Sequence, residues 1–361
     1  MNVKFKVLLL LLLPVWACAH NRDIEFKRTV VKEFSVNNNA RLDVFNKYGK
    51  IVVHTWNKNQ VKATIVITGF GKNTTEAQEI ANSVDIQTNA GSGSVRLQTS
   101  YSSAGSGRWF PWGDKRNSKD YVNIDYELYV PRSLGMLTLE NNFGDVITDQ
   151  LPFAAKMSLN YCFYAIKEVA KTLEMSLNYC EKGRIDKAGD LVIHANYSDL
   201  HCEAAGKVDV RSNYSDYTLG SLGSLTARSN YSDYKVQQLG SIDATSNYSD
   251  IVISQLRDRA DLKLVYSDFK AEDVSDAFKG GEVSLTYSDL ELGLSPKCAL
   301  QIAVDLNYGD LETGDLPLRN ISSIKRKTQL TYTALTASGG EQSPRLSIRG
   351  VRSDVDLSGG H

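Results

Sequence analysis

Charge of one sign is what this chain most plainly lacks. Its 41 basic and 42 acidic residues leave a net charge of -1. No basic field exists to gather nucleic acid, and the one local cluster, Lys325-Arg326-Lys327, reads as a solvated edge. Proline is scarce at seven residues, and 26 glycines are too few for a low-complexity or disordered chain. Cysteine numbers only five, and their spacing matches no zinc pattern. Four thiols beyond the N-terminal region do not make a disulfide-dense scaffold at this length. No G-x-S-x-G, H-E-x-x-H or phosphate loop is present. No apolar run reaches the roughly 20 residues that a membrane-spanning helix needs.

The apolar run that does exist is short and N-terminal. Lys4 and Lys6 precede Val7 to Leu13, and Pro14-Val15 lead into Ala17-Cys18-Ala19. That is the plan of a secretory signal peptide over residues 1–19. Cleavage after Ala19 leaves a soluble chain starting at His20. Cleavage before Cys18 leaves a cysteine for lipidation, since Val15-Trp16-Ala17-Cys18 approximates a lipoprotein box with a bulky Trp16. Either route exports the protein, to the periplasm, the outer membrane or the cell surface of a bacterium.

Self-similarity dominates the rest. Asn196-Tyr197-Ser198-Asp199 recurs as Asn213-Tyr214-Ser215-Asp216, as Asn230-Tyr231-Ser232-Asp233 and as Asn247-Tyr248-Ser249-Asp250. Looser copies centre on Phe143, Tyr161, Tyr179, Tyr266, Tyr287 and Tyr308, with fainter echoes at Thr331-Tyr332 and Val351-Arg352-Ser353-Asp354. From Phe143 to Tyr308 the aromatic steps by 18, 18, 18, 17, 17, 17, 18, 21 and 21 residues. Residues before each motif alternate, as in Leu191, Ile193, Ala195 and Val208, Val210, Ser212, which marks strands with one buried face. A unit this short cannot bury its own apolar face, whereas stacked copies can. The predicted fold is all-β: a parallel β-solenoid, right-handed and β-helix-like, with 17–21-residue coils over residues 132–361. Residues 20–131 read as an N-terminal β-rich region with one helix over Thr74 to Val84, capped by Thr75. Within that region Phe45-Asn46-Lys47-Tyr48-Gly49-Lys50-Ile51 looks like an early coil.

Each repeated position carries an expectation. Asn is a turn residue whose side chains can bond from coil to coil. Tyr continues the inward register 191, 193, 195, 197, which predicts a buried aromatic stack; an exposed stripe that binds sugars or a partner is the alternative. Like charges about 4.8 Å apart repel by roughly 0.9 kcal/mol even in water. An Asp column therefore needs turn N–H donors, or calcium bridges as the alternative. The N-x-S sequons at Asn196, Asn213, Asn230 and Asn247 follow from the repeat and are read as coincidental. Cys162 and Cys180 occupy one repeat position, so a bridge between them is conceivable, although stacked parallel neighbours fit disulfide geometry poorly.

Two features break the pattern. Ser100 to Lys119 has no period and contains Arg108-Trp109-Phe110-Pro111-Trp112. Trp109, Phe110 and Trp112 are either a packing cap, a binding loop for a glycan or a partner, or an interfacial membrane anchor. His194, His201, Cys202 and Glu203 are the one candidate catalytic break, and a weak one against a plain surface role.

The combination resembles the bacterial putative-adhesin domain family of exported β-solenoids with repeated Tyr-Gly-Asp or Tyr-Ser-Asp turns. The matching elements are Asn46-Lys47-Tyr48-Gly49-Lys50-Ile51 with Trp56, Tyr126-Glu127-Leu128-Tyr129-Val130-Pro131, Asn142-Phe143-Gly144-Asp145-Val146 and the Tyr-Ser-Asp series. The resemblance implies architecture and, in name, adhesion, and it carries over no binding residue. The expectation is a non-enzymatic envelope adhesin or scaffold without a cofactor. Its partner would be a surface glycan or an envelope protein, and nucleic acid is not expected. The alternative is a carbohydrate-binding or carbohydrate-active β-helix acting through the Trp109–Trp112 loop or one solenoid face.

Overall fold

The computed structural model describes residues 24–101 and 122–359. They form a parallel β-solenoid with a period of about 18 residues. Each coil lays down two strand segments that meet at the Asn-Tyr-Ser-Asp turn on one edge. On the other edge they meet at a polar or glycine-bearing bend such as Ala205-Gly206-Lys207. Inward residues come from both segments: Val208, Val210 and Ser212 from one, Tyr217, Leu219 and Leu222 from the other, all buried. The segments face each other across the core, since the Tyr234 hydroxyl lies 2.7 Å from Ser229 Oγ and 3.4 Å from Ser212 Oγ.

Stacking is in register. Leu200 pairs with Tyr217, Val208 with Leu225 and Asn213 with Asn230, and the same offset carries into the next coils. Every buried column is therefore made of one repeat position read down the sequence. Large and small residues trade off along it. Tyr217 and Tyr234 stack at 4.7 Å, opposite the column of Ala195, Ser212, Ser229 and Ser246. Burial pushes the Tyr234 phenol up to about 12, and the Ser212 and Ser229 hydroxyls pull it back in part. Gly183 makes room for Tyr164, because a Cβ there would lie 1.9 Å from the ring.

The early coil is real. Residues 41–45 and 51–53 pair in parallel with coil 136–151. A further coil precedes it in space, built from Ser94–Tyr101 and Val122–Pro131. Antiparallel strands Gln60–Gly71 and Ile24–Ser35 extend the sheet beyond Val122–Pro131. The helix runs Thr74–Asn82, two residues shorter at its end than Thr74 to Val84, because Val84 already belongs to strand Val84–Gly91. Its cap is Asn73, not Thr75: Asn73 Oδ1 accepts the Glu76 N–H at 2.9 Å. Asn73 holds the extended backbone that a cap requires. Glycines let the helix sit close to the sheet. A Cβ on Gly69 would lie 2.2 Å from the Ala77 carbonyl oxygen.

Chain order and spatial order part company at the far end. Coil 281–294 pairs with residues 345–356, and these pair in turn with coil 301–312. The Val351-Arg352-Ser353-Asp354 echo is thus a true coil, inserted out of sequence. The Thr331-Tyr332 echo is not. It lies inside strand Gln329–Thr336, which pairs antiparallel with Gln301–Asn307 and with Leu318–Arg326, and Tyr332 is buried.

The Tyr164–Gly183 contact yields a test. Gly183→Ala overpacks the core and should lower stability by about 1–3 kcal/mol in urea denaturation. Adding Tyr164→Leu should restore part of that loss. Equal losses in the single and double variants would contradict the contact.

Candidate functional site: the stacked turn edge

The repeated turn begins with an outward Asn and then breaks the strand alternation. Tyr197, Tyr214, Tyr231 and Tyr248 all have φ between 50° and 53°. This left-handed conformation costs an L-residue about 1–2 kcal/mol. It turns the chain by one register position, so Tyr points outward and the following Ser inward. The expected buried tyrosine column is therefore corrected. Tyr197 and Tyr214 are 49% exposed, while Ser198 and Ser215 are 1% exposed. Period-two reasoning fails at this residue because it assumes extended backbone throughout.

All four motif positions form ladders. Asn Nδ2 donates to the Oδ1 of the preceding coil's Asn, from Asn160→Asn142 through Asn247→Asn230, at 2.5–3.1 Å. The Tyr rings stack face to face from Phe143 to Tyr287, with centroids 4.8–5.2 Å apart. The Ser Oγ accepts the previous coil's Ser N–H, as in Ser215 N–H to Ser232 Oγ at 3.1 Å. It also donates to its own coil's Asn carbonyl, as Ser232 does to Asn230 at 3.1 Å. The Asp carboxylate accepts the next Asp N–H, from Asp250 N–H to Asp233 Oδ1 at 3.0 Å onward to Asp268 and Asp289. For Asp233, Asp250 and Asp268 these are the turn donors expected for the Asp column. The Ser ladder was not anticipated; its signal was the recurrence of a small residue, mostly Ser, beside a turn. Ring stacking at about 0.5–1.5 kcal/mol per pair and roughly 1 kcal/mol per added hydrogen bond outweigh the backbone strain.

Stacking consumes the ring faces. Between coils the planes differ by no more than 14° from Phe143 to Tyr287. A sugar therefore cannot lie on an interior ring. What the edge offers solvent is ring rims, phenol hydroxyls, Asn amides and, at Asp199, Asp216, Asp233 and Asp250, carboxylates. At one end Tyr48 stacks on Phe143 at 5.7 Å and meets Tyr101 edge-on at 6.3 Å. At the other, Arg352 replaces Tyr. Its guanidinium lies 5.2 Å from the Tyr287 ring centre and 5.9 Å from that of Tyr308, and it donates to the Tyr287 hydroxyl at 2.8 Å.

Other candidates separate. Cys162 and Cys180 occupy the inward Ser position and are buried, free thiols, as are Cys202 and Cys298. Burial pushes the Cys162, Cys202 and Cys298 thiols up to about 11. His194 and Glu203 face solvent, Cys202 faces the core, and His201 lies on the outer face, so the supposed catalytic break does not converge. Cys18, Trp109, Phe110 and Trp112 lie outside the described residues. Tyr101, the last described residue before that loop, stands at the end of the aromatic column. Sequence reasoning also passed over His54, which is 2.8 Å from Asp149 and sits with Tyr129 and Trp56 near the first coils.

No family model matches the chain, and no curated protein matches it in sequence. Solved structures of similar outline include a putative adhesin from Parabacteroides merdae, 11% identical, with a TM-score of 0.35 over 74% of this chain and 91% of that one. A putative cell adhesion protein from Clostridium sporogenes is 10% identical, with a TM-score of 0.20 over 93% and 99%. A putative lipid binding protein from Parabacteroides distasonis is 12% identical, with a TM-score of 0.29 over 74% and 92%. At these identities and scores, what the chain does has to be read from its own residues.

Two tests follow from the turn. Desolvation, Asp216 and Glu181 together raise the Asp199 carboxyl above its usual range. A raised carboxyl holds its proton more tightly when folded, so its ionisation costs stability as pH climbs through that window. Asp199→Asn should therefore be more stable than the parent at pH 7, with the advantage shrinking as pH falls through the carboxylate range. A constant difference between pH 3 and 7 would refute the assignment. Second, peptide mapping after alkylation should find Cys162, Cys180, Cys202 and Cys298 unlabelled in the native protein at pH 7. All four should label on denaturation without reductant; a disulfide would leave its pair unlabelled.

Proposed function

We propose that this chain is an exported, non-enzymatic protein of the bacterial envelope that binds an extended partner along its tyrosine edge. The observation that carries the reading is the exposed ladder of Asn, Tyr and Asp, repeated at one strand spacing of about 4.8 Å over roughly 40 Å. Scattered exposed apolar residues need no explanation, but a contiguous exposed stripe does. Tyr rims and hydroxyls combine apolar contact with hydrogen bonding at low entropic cost, which suits recognition. Because each coil presents the same groups, the fitting partner is itself repetitive or long: a surface glycan chain read through its hydroxyls, or an extended segment of an envelope protein. Many weak identical contacts then add through multivalency. No helix among the described residues is long and apolar enough to cross a membrane. Attachment to the envelope would come through Cys18 or through the edge itself.

A second reading places carbohydrate binding in the Trp109–Trp112 loop. It is favoured by the position of Tyr101, the last residue of strand Ser94–Tyr101, at the end of the aromatic column just before that segment. Trp109→Ala with Trp112→Ala separates it from the first.

Asn tolerates the left-handed region better than most residues. Changing Tyr197, Tyr214, Tyr231 and Tyr248 to Asn should therefore keep the fold while removing the rings. The expected result is at least a tenfold loss of binding to isolated envelopes, with the circular dichroism spectrum unchanged. Full binding by the folded variant would sink the edge reading. Protease shaving of intact and lysed cells separates surface from periplasm: loss from intact cells supports adhesion, and protection until lysis supports a periplasmic scaffold.

A further inference from the structure

The coil formed by residues 345–356 is wedged between two coils that do not pair with each other. On one side Gly281–Thr286 pairs with Leu346–Val351, and Leu290-Glu291 with Val355-Asp356. On the other, Gln301–Asn307 pairs with Arg345–Val351, and Leu311-Glu312 with Val355-Asp356. Among the described residues, coil 301–312 is therefore joined to the rod by β-pairing only through this segment. The hairpin 318–336 pairs, among the described residues, only with coil 301–312, so it hangs on the same joint.

The segment is keyed to its slot through the Ser and Asp ladders. Ser288 N–H donates to Ser353 Oγ at 3.1 Å. Asp354 N–H donates to Asp289 Oδ1, and Asp310 N–H to Asp354 Oδ1, both at 2.8 Å. Leu346, Ile348, Val355 and Leu357 are buried. Gly350 lies in register between Leu285 and Leu306, and a Cβ there would come within 2.7 Å of Leu306 Cδ2. Arg352, alone among the turn residues of the stack, is a cation held between two tyrosine rings.

The connection into the slot is a surface excursion. Eight residues, Ala337 to Pro344, carry the chain from Gln329–Thr336 over the start of Gln301–Asn307 to Arg345. They include Gly339-Gly340, and a Cβ on Gly340 would meet nothing within 4 Å.

We infer that residues 345–359 are an exchangeable donor coil, and that the slot between coils 281–294 and 301–312 accepts this segment from a second copy of the chain. The occupant is specified by the structure, because a partner's segment would make the same contacts that the chain's own makes here. A segment donated reciprocally by two copies gives a swapped dimer. The hinge decides which form prevails, since a short connection that cannot close on its own slot favours exchange.

The test shortens that hinge. Deleting 337–342 leaves two residues, which reach at most about 10 Å. That is no more than two strand spacings, with nothing left to pass around the intervening strand. The expected result is a shift from monomer to dimer by light scattering, with the strand signal in circular dichroism retained. Gly350→Val in the deletion background should return the chain to a monomer. A folded, monomeric deletion variant would overturn the inference, and so would a dimer indifferent to Gly350→Val. If the deletion variant does not fold, the intact chain decides. It is held in sub-denaturing urea with a labelled synthetic peptide of residues 345–359 and then returned to buffer. Retention of about one peptide per chain, reduced at least tenfold for a Gly350→Val peptide, supports the slot. No retention overturns it.

Discussion

In-register parallel stacking is the constraint on which everything else in this molecule depends. A coil of about 18 residues has no hydrogen-bond partners of its own for its strands. Its N–H and C=O groups are satisfied only by the same residues of the coil above and the coil below. Position therefore becomes column. A choice of side chain at one repeat position is a choice about a neighbour 4.8 Å away of nearly the same kind. Residues that gain from meeting themselves are selected at exposed positions: Asn amides, which donate and accept, and Tyr rings, which stack. A residue that loses from meeting itself survives only with help. Asp is tolerated because each carboxylate from Asp233 onward takes the N–H of the next coil's Asp. At Asp199, desolvation first and then the charges of Asp216 and Glu181 hold the carboxyl above its usual range.

The same constraint explains why the rod needs different solutions at its ends. An end coil has a neighbour on one side only. At the N-terminal end the sheet switches to antiparallel strands and is covered by the helix, whose Ala77 and Ala81 lie buried against it. At the other end the column loses its Asn at Val265, Thr286 and Val351, and its Tyr at Arg352. The antiparallel hairpin 318–336 then closes the sheet. Its outer strand, Leu318–Arg326, is exposed along nearly its whole length and carries Lys325 and Arg326. Charged residues on an edge strand oppose addition of a foreign strand, and this is the structural reading of the one basic cluster in the sequence.

Much of the architecture was legible because the repeat is dense and its apolar alternation is clean. The coil at residues 41–56 could be recognised from Asn46, Tyr48 and Gly49 alone. What was not legible has a common physical cause. Alternation reads side-chain direction only while the backbone stays extended. A single left-handed residue per coil shifts the phase by one, and no hydropathy pattern marks it, because Tyr is acceptable in core and surface alike. The clue was chemical: a hydroxyl-bearing Ser held at one position, replaced only by the small residues Cys and Gly at 162, 180, 144 and 309. Small size implies a crowded inward site, and Tyr cannot share that side. Spatial order was hidden for a different reason. The 21-residue step from Tyr287 to Tyr308 equals the step from Tyr266 to Tyr287. Nothing local therefore announces that a distant segment lies between those two coils.

That insertion bears on how the edge is read. A ladder interrupted by Arg352 is continuous in stacking and discontinuous in charge. The guanidinium occupies the place of a ring and bonds to the Tyr287 hydroxyl, so one phenol of the column is engaged within the protein. Asp289, Asp354 and Asp310 run past it in an unbroken chain of hydrogen bonds. A partner lying along the edge would thus meet a uniform phenol row over the coils from Tyr161 to Tyr266 and a mixed cationic and acidic patch beyond. The uniform stretch is the part suited to a repetitive ligand. The patch beyond it is where the chain holds its own far end.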